Sequence, residues 1–218
     1  MADRFPLRAL CLLLCLLGWP LSGAAATPQR IISLTPHLTE LLYDIGAGDR
    51  IVATDDASDF PPEVAPLPRV ANYRSINLEA LLAQKPDLVV AWRSAQSRML
   101  APVEKLGIPV FYSEPTDFAS LADEMRSLGR LLGTRQKADQ QADAYLARLN
   151  ALKQRYGKPK PVSVFYQLWY PPLTSVNDST WPGHAIRLCG GRNIMADASS
   201  PYPQVGLEQV IKANPGLI

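Results

Sequence analysis

Short apolar runs alternate with amphipathic stretches over the first half of the chain. Each run is bounded by polar residues, Gly or Pro, which is typical of buried strands. Thr35 and Asn77 stand where the following amphipathic stretches begin, as N-capping residues do, and Gly107 stands where another ends. This alternation predicts the α/β class, a mostly parallel sheet covered by helices. The predicted strands are residues 30–34, 50–54, 69–71, 87–92 and 108–112, and the predicted helices are residues 35–46, 77–84 and 97–106.

The middle of the chain has a different pattern. From Asp117 to Tyr156 it is almost wholly helical in character, with two apolar stripes separated by Gly133. The second stripe covers roughly 22 residues, or about 33 Å of helix at 1.5 Å per residue. A further predicted strand, residues 162–167, follows it. We interpret the second helix as a rigid connection between two α/β lobes; the alternative is a surface helix of a single domain.

Two segments on either side of this helix resemble each other. Residues 77–89 (NLEALLAQKPDLV) and 206–218 (GLEQVIKANPGLI) share Leu, Glu, Pro and Leu at equivalent positions. Each follows a tyrosine, Tyr73 or Tyr202, by a few residues. Convergent helix-to-strand sequences are one explanation, but the symmetric placement favours a duplicated lobe. We predict an N-terminal lobe at 27–133, a backbone helix at 134–157 and a C-terminal lobe at 158–218.

The repeat puts Glu79 and Glu208 in the first turn of equivalent helices. A glutamate there offsets the helix dipole by about 0.3–1 kcal/mol and needs no further function. The alternative is that the two protruding glutamates, one on each lobe, dock on basic pockets of a symmetric partner. The residues alone leave both interpretations open.

The N-terminus has the three parts of a secretory signal peptide. Arg4 and Arg8 precede the apolar residues 9–17, and three alanines ending at Ala26 form a cleavage site. The apolar run is too short for a membrane anchor, which needs about 20 residues. Leucines before both early cysteines disfavour a lipoprotein. We therefore expect cleavage after Ala26 and a periplasmic location, with Cys189 as the one remaining cysteine.

Composition and charge exclude several classes of function. Apolar residues make up 47% of the chain, so wholesale disorder is excluded, and a formal charge of +2 gives no basic field for nucleic acid. Two histidines, His37 and His184, are too few for a multi-histidine metal site. His37 is interpreted as a polar residue at a helix start, with metal or haem ligation as the alternative. Hydrolase signatures are missing, although a secreted hydrolase using a serine and His184 stays open.

Aromatic residues give the strongest functional signal. Most lie at predicted strand ends or in loops, and strand carboxyl ends line ligand clefts in open α/β sheets. Two lobes with such a lining suit a large, flat, partly apolar ligand. The alternative for each residue is a core or rim position. These residues are Tyr73, Trp92, Trp169, Tyr170, Trp181 and Tyr202.

Several motifs resemble those of the helical-backbone solute-binding proteins (class III, metal-receptor type), and in particular the cobalamin-binding receptors of ABC importers. The likeness covers essentially the whole chain after residue 26. The stretch 85–89 (KPDLV) is shared across the wider class, which also serves haem, ferric siderophores and metals, whereas Ala91–Arg93 and 202–205 (YPQV) are narrower. The other similar stretches are 30–40 (RIISLTPHLTE), 58–62 (SDFPP) and 77–79 (NLE).

The resemblance implies two Rossmann-like α/β lobes with parallel sheets, joined by one long helix and clamping a corrinoid. Such a protein is not an enzyme, has no resident cofactor or metal, and carries cobalamin as a monomer to an ABC permease and its ATPase. Haem or ferric siderophore is the alternative cargo. The implied permease-docking residues are Glu79 and Glu208. The implied ligand-binding residues are Tyr73, Trp92, Arg93, Trp169, Tyr170 and Tyr202.

The second repeat ends at Ile218, where the first continues through Trp92. By symmetry we expect about 45 further residues in the second lobe, so that the lobe in this chain is truncated, with an unfinished sheet edge and half a cleft. The resemblance implies that a disulfide partner of Cys189 is also missing from this chain, because family members can pair this position with a cysteine near the C-terminus.

Overall fold

A computed structural model describes residues 26–157 and 160–218. The predicted signal peptide, residues 1–26, lies outside the described residues apart from Ala26. The strands are β1 (Ile31–Ser33), β2 (Ile51–Asp55), β3 (Arg69–Ala71), β4 (Leu88–Trp92), β5 (Val110–Ser113), β6 (Val162–Val164) and β7 (Gly191–Asn193). The α-helices are α1 (Pro36–Asp44), α2 (Leu78–Ala83), α3 (Arg93–Lys105), α4 (Phe118–Leu131), α5 (Arg135–Tyr156), α6 (Trp181–Leu188) and α7 (Leu207–Ala213).

The first five strands form one parallel sheet in the order β3-β2-β1-β4-β5. Successive residues of β1 point to opposite faces, so Ile31 packs in the core beneath α1, α4 and α5, and Ile32 in the core beneath α2 and α3. Because helices cover both faces, the central strands are apolar on both sides. The predicted α/β class is confirmed. The carboxyl ends of the strands all meet at one edge of this sheet.

Helices α4 and α5 form a tight antiparallel pair beside the sheet. The carboxylate of Asp117 caps α4 by accepting a 2.7 Å hydrogen bond from the backbone N–H of Ser120. A Cβ on Gly129 would overlap the Cβ of Ala138, so glycine permits the close approach of the two helices. Helix α5 spans 22 residues and runs from the first sheet toward the second, as the long apolar stripe predicts.

The second lobe contains a smaller parallel sheet, in which β6 pairs with β7. Leu217 lies beside Val164 in a parallel bridge, in the same relation that Leu88 has to Ile31 in the first sheet. The repeated segments therefore occupy equivalent places in their lobes. The core beneath this sheet consists of Phe165, Met195, Val205 and Val210.

Three local expectations are wrong in detail. Strand β6 ends at Val164, because the chain then turns into an irregular segment in which Trp169 bridges Thr174. Helix α3 begins at Arg93 rather than at residue 97. Trp181 is the first residue of α6 and not part of a loop, because the Thr180 hydroxyl caps that helix by accepting from the N–H of Gly183.

In the described residues, no helix combines the length and the apolar character needed to cross a bilayer.

Candidate functional site

A cavity of about 590 Å³ lies between the two lobes. Its floor is the face of α1 that follows β1, and one wall is formed by residues at the carboxyl ends of β4 and β5. Helices α4 and α5 supply further lining, and α6 of the second lobe closes the opposite side. The lining residues are Pro36, His37, Glu40, Leu41, Asp44, Trp92, Pro115, Leu121, Met125, Tyr145 and Trp181.

Trp92 is the aromatic residue at the sheet edge. The four preceding residues of β4 are buried, whereas Trp92 is 40% exposed. Its backbone N–H donates to the side chain of Gln96 at 2.9 Å, and Gln96 in turn donates to the carbonyl of Leu34 at 2.8 Å. These bonds tie the ends of β1 and β4 together and fix the backbone from which the indole projects into the cavity.

His37 stands next to Trp92, with ring centroids 5.8 Å apart and planes at 81°. Its Nε2 atom lies 3.3 Å from the hydroxyl of Ser113, at the end of β5. That hydroxyl donates to Oε2 of Glu124 at 2.8 Å, and Oε1 of Glu124 accepts from the N–H of Glu114 at 3.0 Å. A line of polar groups thus runs from the cavity wall to a partly buried carboxyl group.

Burial shifts both titratable ends of this line toward the neutral form. Burial raises the pKa of Glu124, against the opposing effect of its hydrogen bonds from Ser113 and Glu114. Burial also lowers the pKa of His37, although the carboxylate of Asp55 acts in the opposite direction. His37 retains solvent exposure through the cavity, so its ring is only partly desolvated. Burial thus favours the neutral imidazole over the charged one.

The opposite wall is an aromatic contact between the lobes. Trp181 packs edge-on against Phe118, the first residue of α4, at a centroid distance of 5.3 Å. His184, one turn further along α6, bonds through Nε2 to the carbonyl of Thr116 at 2.9 Å. Its Nδ1 accepts from Arg187. This contact fixes the second lobe close to the end of the first sheet.

A second cavity, of about 820 Å³, lies behind Trp181 in the second lobe. It is lined mainly by aliphatic and aromatic groups of β6, β7 and α6, including Val164 and Ile186. Cys189 lines this cavity as a free, exposed thiol. With little polar lining to orient a ligand, this cavity is a weaker candidate for selective binding than the one beside Trp92.

The structure brings only one of the six predicted ligand residues into the interlobe cavity, and that residue is Trp92. Arg93 lies over the ring of Tyr112, 4.7 Å from its centroid, and 3.8 Å from the carboxylate of Glu114. Tyr170 lines a separate groove on the second lobe with Leu207. The other three lie on exposed loops outside the cavity lining: Tyr73, Trp169 and Tyr202.

Trp181 is one of the aromatic residues that the sequence offers for a ligand cleft, and it lines the cavity although the resemblance does not include it among the ligand-binding residues. Tyr145, which the sequence places in the apolar stripe of α5, lines the cavity as well. Burial raises the pKa of Tyr145, so its phenol keeps its proton and can donate a hydrogen bond. His37, for which the sequence favours a polar helix-start residue over a metal or haem ligand, also lines the cavity. The signal that could have identified it is its place directly after the carboxyl end of β1.

Glu79 and Glu208 occupy the same position on α2 and α7, and both are exposed. Within residues 26–157 and 160–218, neither carboxylate takes part in a hydrogen bond or an ion pair. In the part of the chain that the structure describes, both carboxylates are therefore available for contact with another molecule.

The cavity offers aromatic faces, aliphatic surface and a few polar groups. In the described residues, no group of three or more His, Cys, Asp or Glu side chains could hold a metal ion. The arrangement fits a flat, partly apolar ligand held by stacking and shape.

Comparison with known proteins identifies a matching family and several similar proteins. The model of the periplasmic binding protein family matches residues 31–218. A vitamin B12-binding protein of Vibrio campbellii is 38% identical over 213 residues, which cover 97% of this chain and 78% of that protein. A vitamin B12-binding protein of Yersinia pseudotuberculosis is 39% identical over 214 residues, or 98% of this chain and 75% of that one.

Solved structures show the same likeness. The periplasmic vitamin B12 binding protein BtuF of Vibrio cholerae superposes with a TM-score of 0.76 at 38% identity, covering 87% of this chain and 74% of that chain. The periplasmic heme binding protein HutB of Vibrio cholerae superposes with a TM-score of 0.77 at 25% identity, covering 86% and 74%.

Proposed function

The chain belongs to the periplasmic binding protein family, and from this we propose that it is a periplasmic receptor that captures a cobalamin-like corrinoid and delivers it to an ABC transporter. The observation that carries the proposal is the interlobe cavity with Trp92 on one side and Trp181 on the other. Relatives at 38–39% identity over nearly the whole chain are named for vitamin B12.

Binding follows from the surfaces that face the cavity. A corrin ring is flat and carries apolar edges together with amide side chains. The indole faces of Trp92 and Trp181 stack on or pack against such a ring, which contributes about 0.5–1.5 kcal/mol per aromatic pair beyond the burial of apolar area. Tyr145, His37 and Glu40 supply polar groups for the amides. In this proposal, the parts of the ligand outside the cavity are contacted by residues that lie beyond its lining, namely Tyr73, Arg93, Trp169, Tyr170 and Tyr202.

The receptor holds its ligand without chemical change. Capture and release are reversible binding steps, so the protein acts as a carrier and needs no resident cofactor. Because α5 and the Phe118–Trp181 contact connect the lobes, we expect only small movements on binding.

Delivery uses the two exposed glutamates. Glu79 and Glu208 project from equivalent helices of the two lobes, so they present two similar negative charges to a permease with approximate two-fold symmetry. Charge complementarity of this kind orients a complex more than it tightens it. One receptor monomer then engages both halves of the permease at the inner membrane, beside its ATPase.

Haem is the second candidate ligand. His37 lines the cavity next to Trp92, and an imidazole there could meet the iron of a haem as well as the edge of a corrinoid. The fold is also shared with HutB.

Calorimetric titration of the purified protein with cyanocobalamin, haemin and a ferric siderophore separates these functions. We expect saturable one-to-one binding of cyanocobalamin and at least about tenfold weaker binding of the other two, a difference of about 1.4 kcal/mol. Tighter binding of haemin than of cyanocobalamin would replace the corrinoid proposal with the haem one. A protein that binds none of the three would contradict both.

A further inference from the structure

The floor of the interlobe cavity carries two acidic side chains. Glu40 and Asp44 stand one helical turn apart on α1, and both line the cavity. The opposite face of this helix packs Leu38 and Leu42 into the core of the first lobe. Helix α1 therefore cannot turn its two carboxylates away from the cavity without unpacking that core.

Neither carboxylate is paired with a group of the protein. Glu40 and Asp44 are both exposed, and among the described residues neither takes part in a hydrogen bond or an ion pair. In the same part of the chain, no lysine or arginine belongs to the cavity lining. Three arginines on α3, α4 and α6 lie instead beside acidic side chains outside the lining: Arg93 beside Glu114, Arg126 beside Asp143, and Arg187 beside Asp178.

The two other titratable groups of the described lining add little positive charge. Burial lowers the pKa of His37, which favours the neutral imidazole, although the carboxylate of Asp55 acts in the opposite direction. Burial raises the pKa of Tyr145, so its phenol keeps its proton. The described residues around the cavity therefore present a negative potential to whatever enters it.

A carboxylate can distinguish an amide from an acid at the edge of a ligand. It accepts hydrogen bonds but has no proton to donate, and a primary amide offers two N–H donors. A ligand carboxylate in the same place brings a second negative charge and no donor, so it is repelled. The periphery of a corrinoid carries acetamide and propionamide side chains, and hydrolysis of any one of them creates such an acid.

We propose that Glu40 and Asp44 select the ligand by the amidation state of its periphery, so that the cavity takes corrinoids with amide side chains and rejects those with free carboxylates at the same positions. The inference rests on the proposed function, because it needs a corrinoid in the cavity beside Trp92 and Trp181. It extends to other macrocycles that carry carboxylates, such as haem, which meet the same repulsion. The two glutamate and aspartate side chains thus determine specificity, while the indoles supply stacking that is indifferent to charge.

The test compares cyanocobalamin with its b-, d- and e-monocarboxylic acids, in each of which one propionamide has been hydrolysed. Calorimetric titrations use the wild type, the double variant Glu40→Gln with Asp44→Asn, and Glu63→Gln. We expect the wild type to bind at least one of the acids about tenfold or more weakly than cyanocobalamin. In the double variant this ratio of affinities should fall below about threefold, because the repulsion is removed while the new side-chain amides still accept hydrogen bonds.

Glu63→Gln is the matched control and should keep the wild-type ratio. Glu63 is exposed and shares a neighbouring groove with Glu40 and Asp44, but it does not line the interlobe cavity. Equal affinities of the wild type for cyanocobalamin and all three acids, a ratio unchanged in the double variant, or an equal fall in Glu63→Gln overturns the inference. Cyanocobalamin keeps the proposed function separate: if it binds the wild type while the selection fails, only the selection is refuted, and if it does not bind, both are.

Discussion

At the scale of single residues, the site depends on side chains that follow the strands of the first sheet. Trp92 could be placed from the sequence, because a Trp directly after a buried apolar run must lie at a strand end. The importance of His37 could not, because its hydrogen-bonding partner Ser113 is 76 positions away in sequence. A contact between residues so far apart in sequence can be recognised only once the order of the parallel strands β1, β4 and β5 is known.

Replacing Trp92 by alanine should weaken corrinoid binding. The change removes an aromatic face of the cavity and leaves a space that the fixed backbone cannot close. We expect an affinity loss of about tenfold or more in calorimetric titration, because stacking and apolar contact together are worth about 1.5–3 kcal/mol. Tyr156→Ala is the control, since that ring is 45% exposed at the end of α5 and outside the cavity lining. Equal losses in both variants would refute the assignment of the cavity.

The lowered pKa of His37 predicts a pH dependence of stability. When the folded pKa lies below the unfolded value, the unfolded chain binds more protons as the pH falls through about 6.5, and the folded state loses stability there. Urea unfolding at pH 7.5 and 5.5 should therefore show a smaller acid-induced loss for His37→Gln than for the wild type. A His37→Gln variant with the full acid-induced loss would contradict the shift.

At the scale of elements, the periodic segments could be predicted and the contacts between them could not. Both helices of the middle region, α4 and α5, follow directly from apolar spacing and the stop at Gly133. From the sequence alone, Gly129 would be expected to destabilise α4, because glycine has a low helix propensity. The structure shows that it is the place where Ala138 of α5 approaches most closely. Glycine is needed at position 129 because α5 packs closely against α4 there, and not because of the conformation of α4 itself.

Substituting Gly129 by alanine should therefore destabilise the protein, although alanine is the better helix former. Overlap of the new Cβ with Ala138 forces the helices apart, at a cost of about 1–3 kcal/mol. Urea unfolding gives the free energy directly, and Arg130→Ala, at an exposed position of the same helix, is the control. Adding Ala138→Gly should restore part of the loss. A Gly129→Ala protein as stable as the wild type would show that the helices do not pack this closely.

At the scale of the whole molecule, the duplicated segments end in equivalent places. Leu88 and Leu217 each extend a parallel sheet, and the helix before each carries a glutamate in its first turn. The repeat in the sequence was sufficient to predict this symmetry. The sequence could not show which aromatics surround the cavity, because α6 brings Trp181 there through the contact with Phe118, a long-range contact between the lobes.

Delivery to the permease should depend on both lobes. Changing Glu79 and Glu208 together to alanine removes the two exposed charges and leaves the cavity intact. We expect unchanged cyanocobalamin affinity and clearly weaker association with the permease in membrane discs, more so at low salt. The matched control is the double variant Glu63→Ala and Asp197→Ala, which removes one exposed acidic residue from each lobe elsewhere. Equal loss of ligand and permease binding would contradict a docking function.

The central claim is that the cavity between the lobes is the corrinoid site. A crystal structure of the protein with cyanocobalamin tests it most directly. We expect the corrin ring between Trp92 and Trp181, with the loops that carry Tyr73 and Tyr202 against the periphery of the ligand. A corrinoid bound elsewhere on the protein, with both indoles still in contact with solvent, would contradict the account.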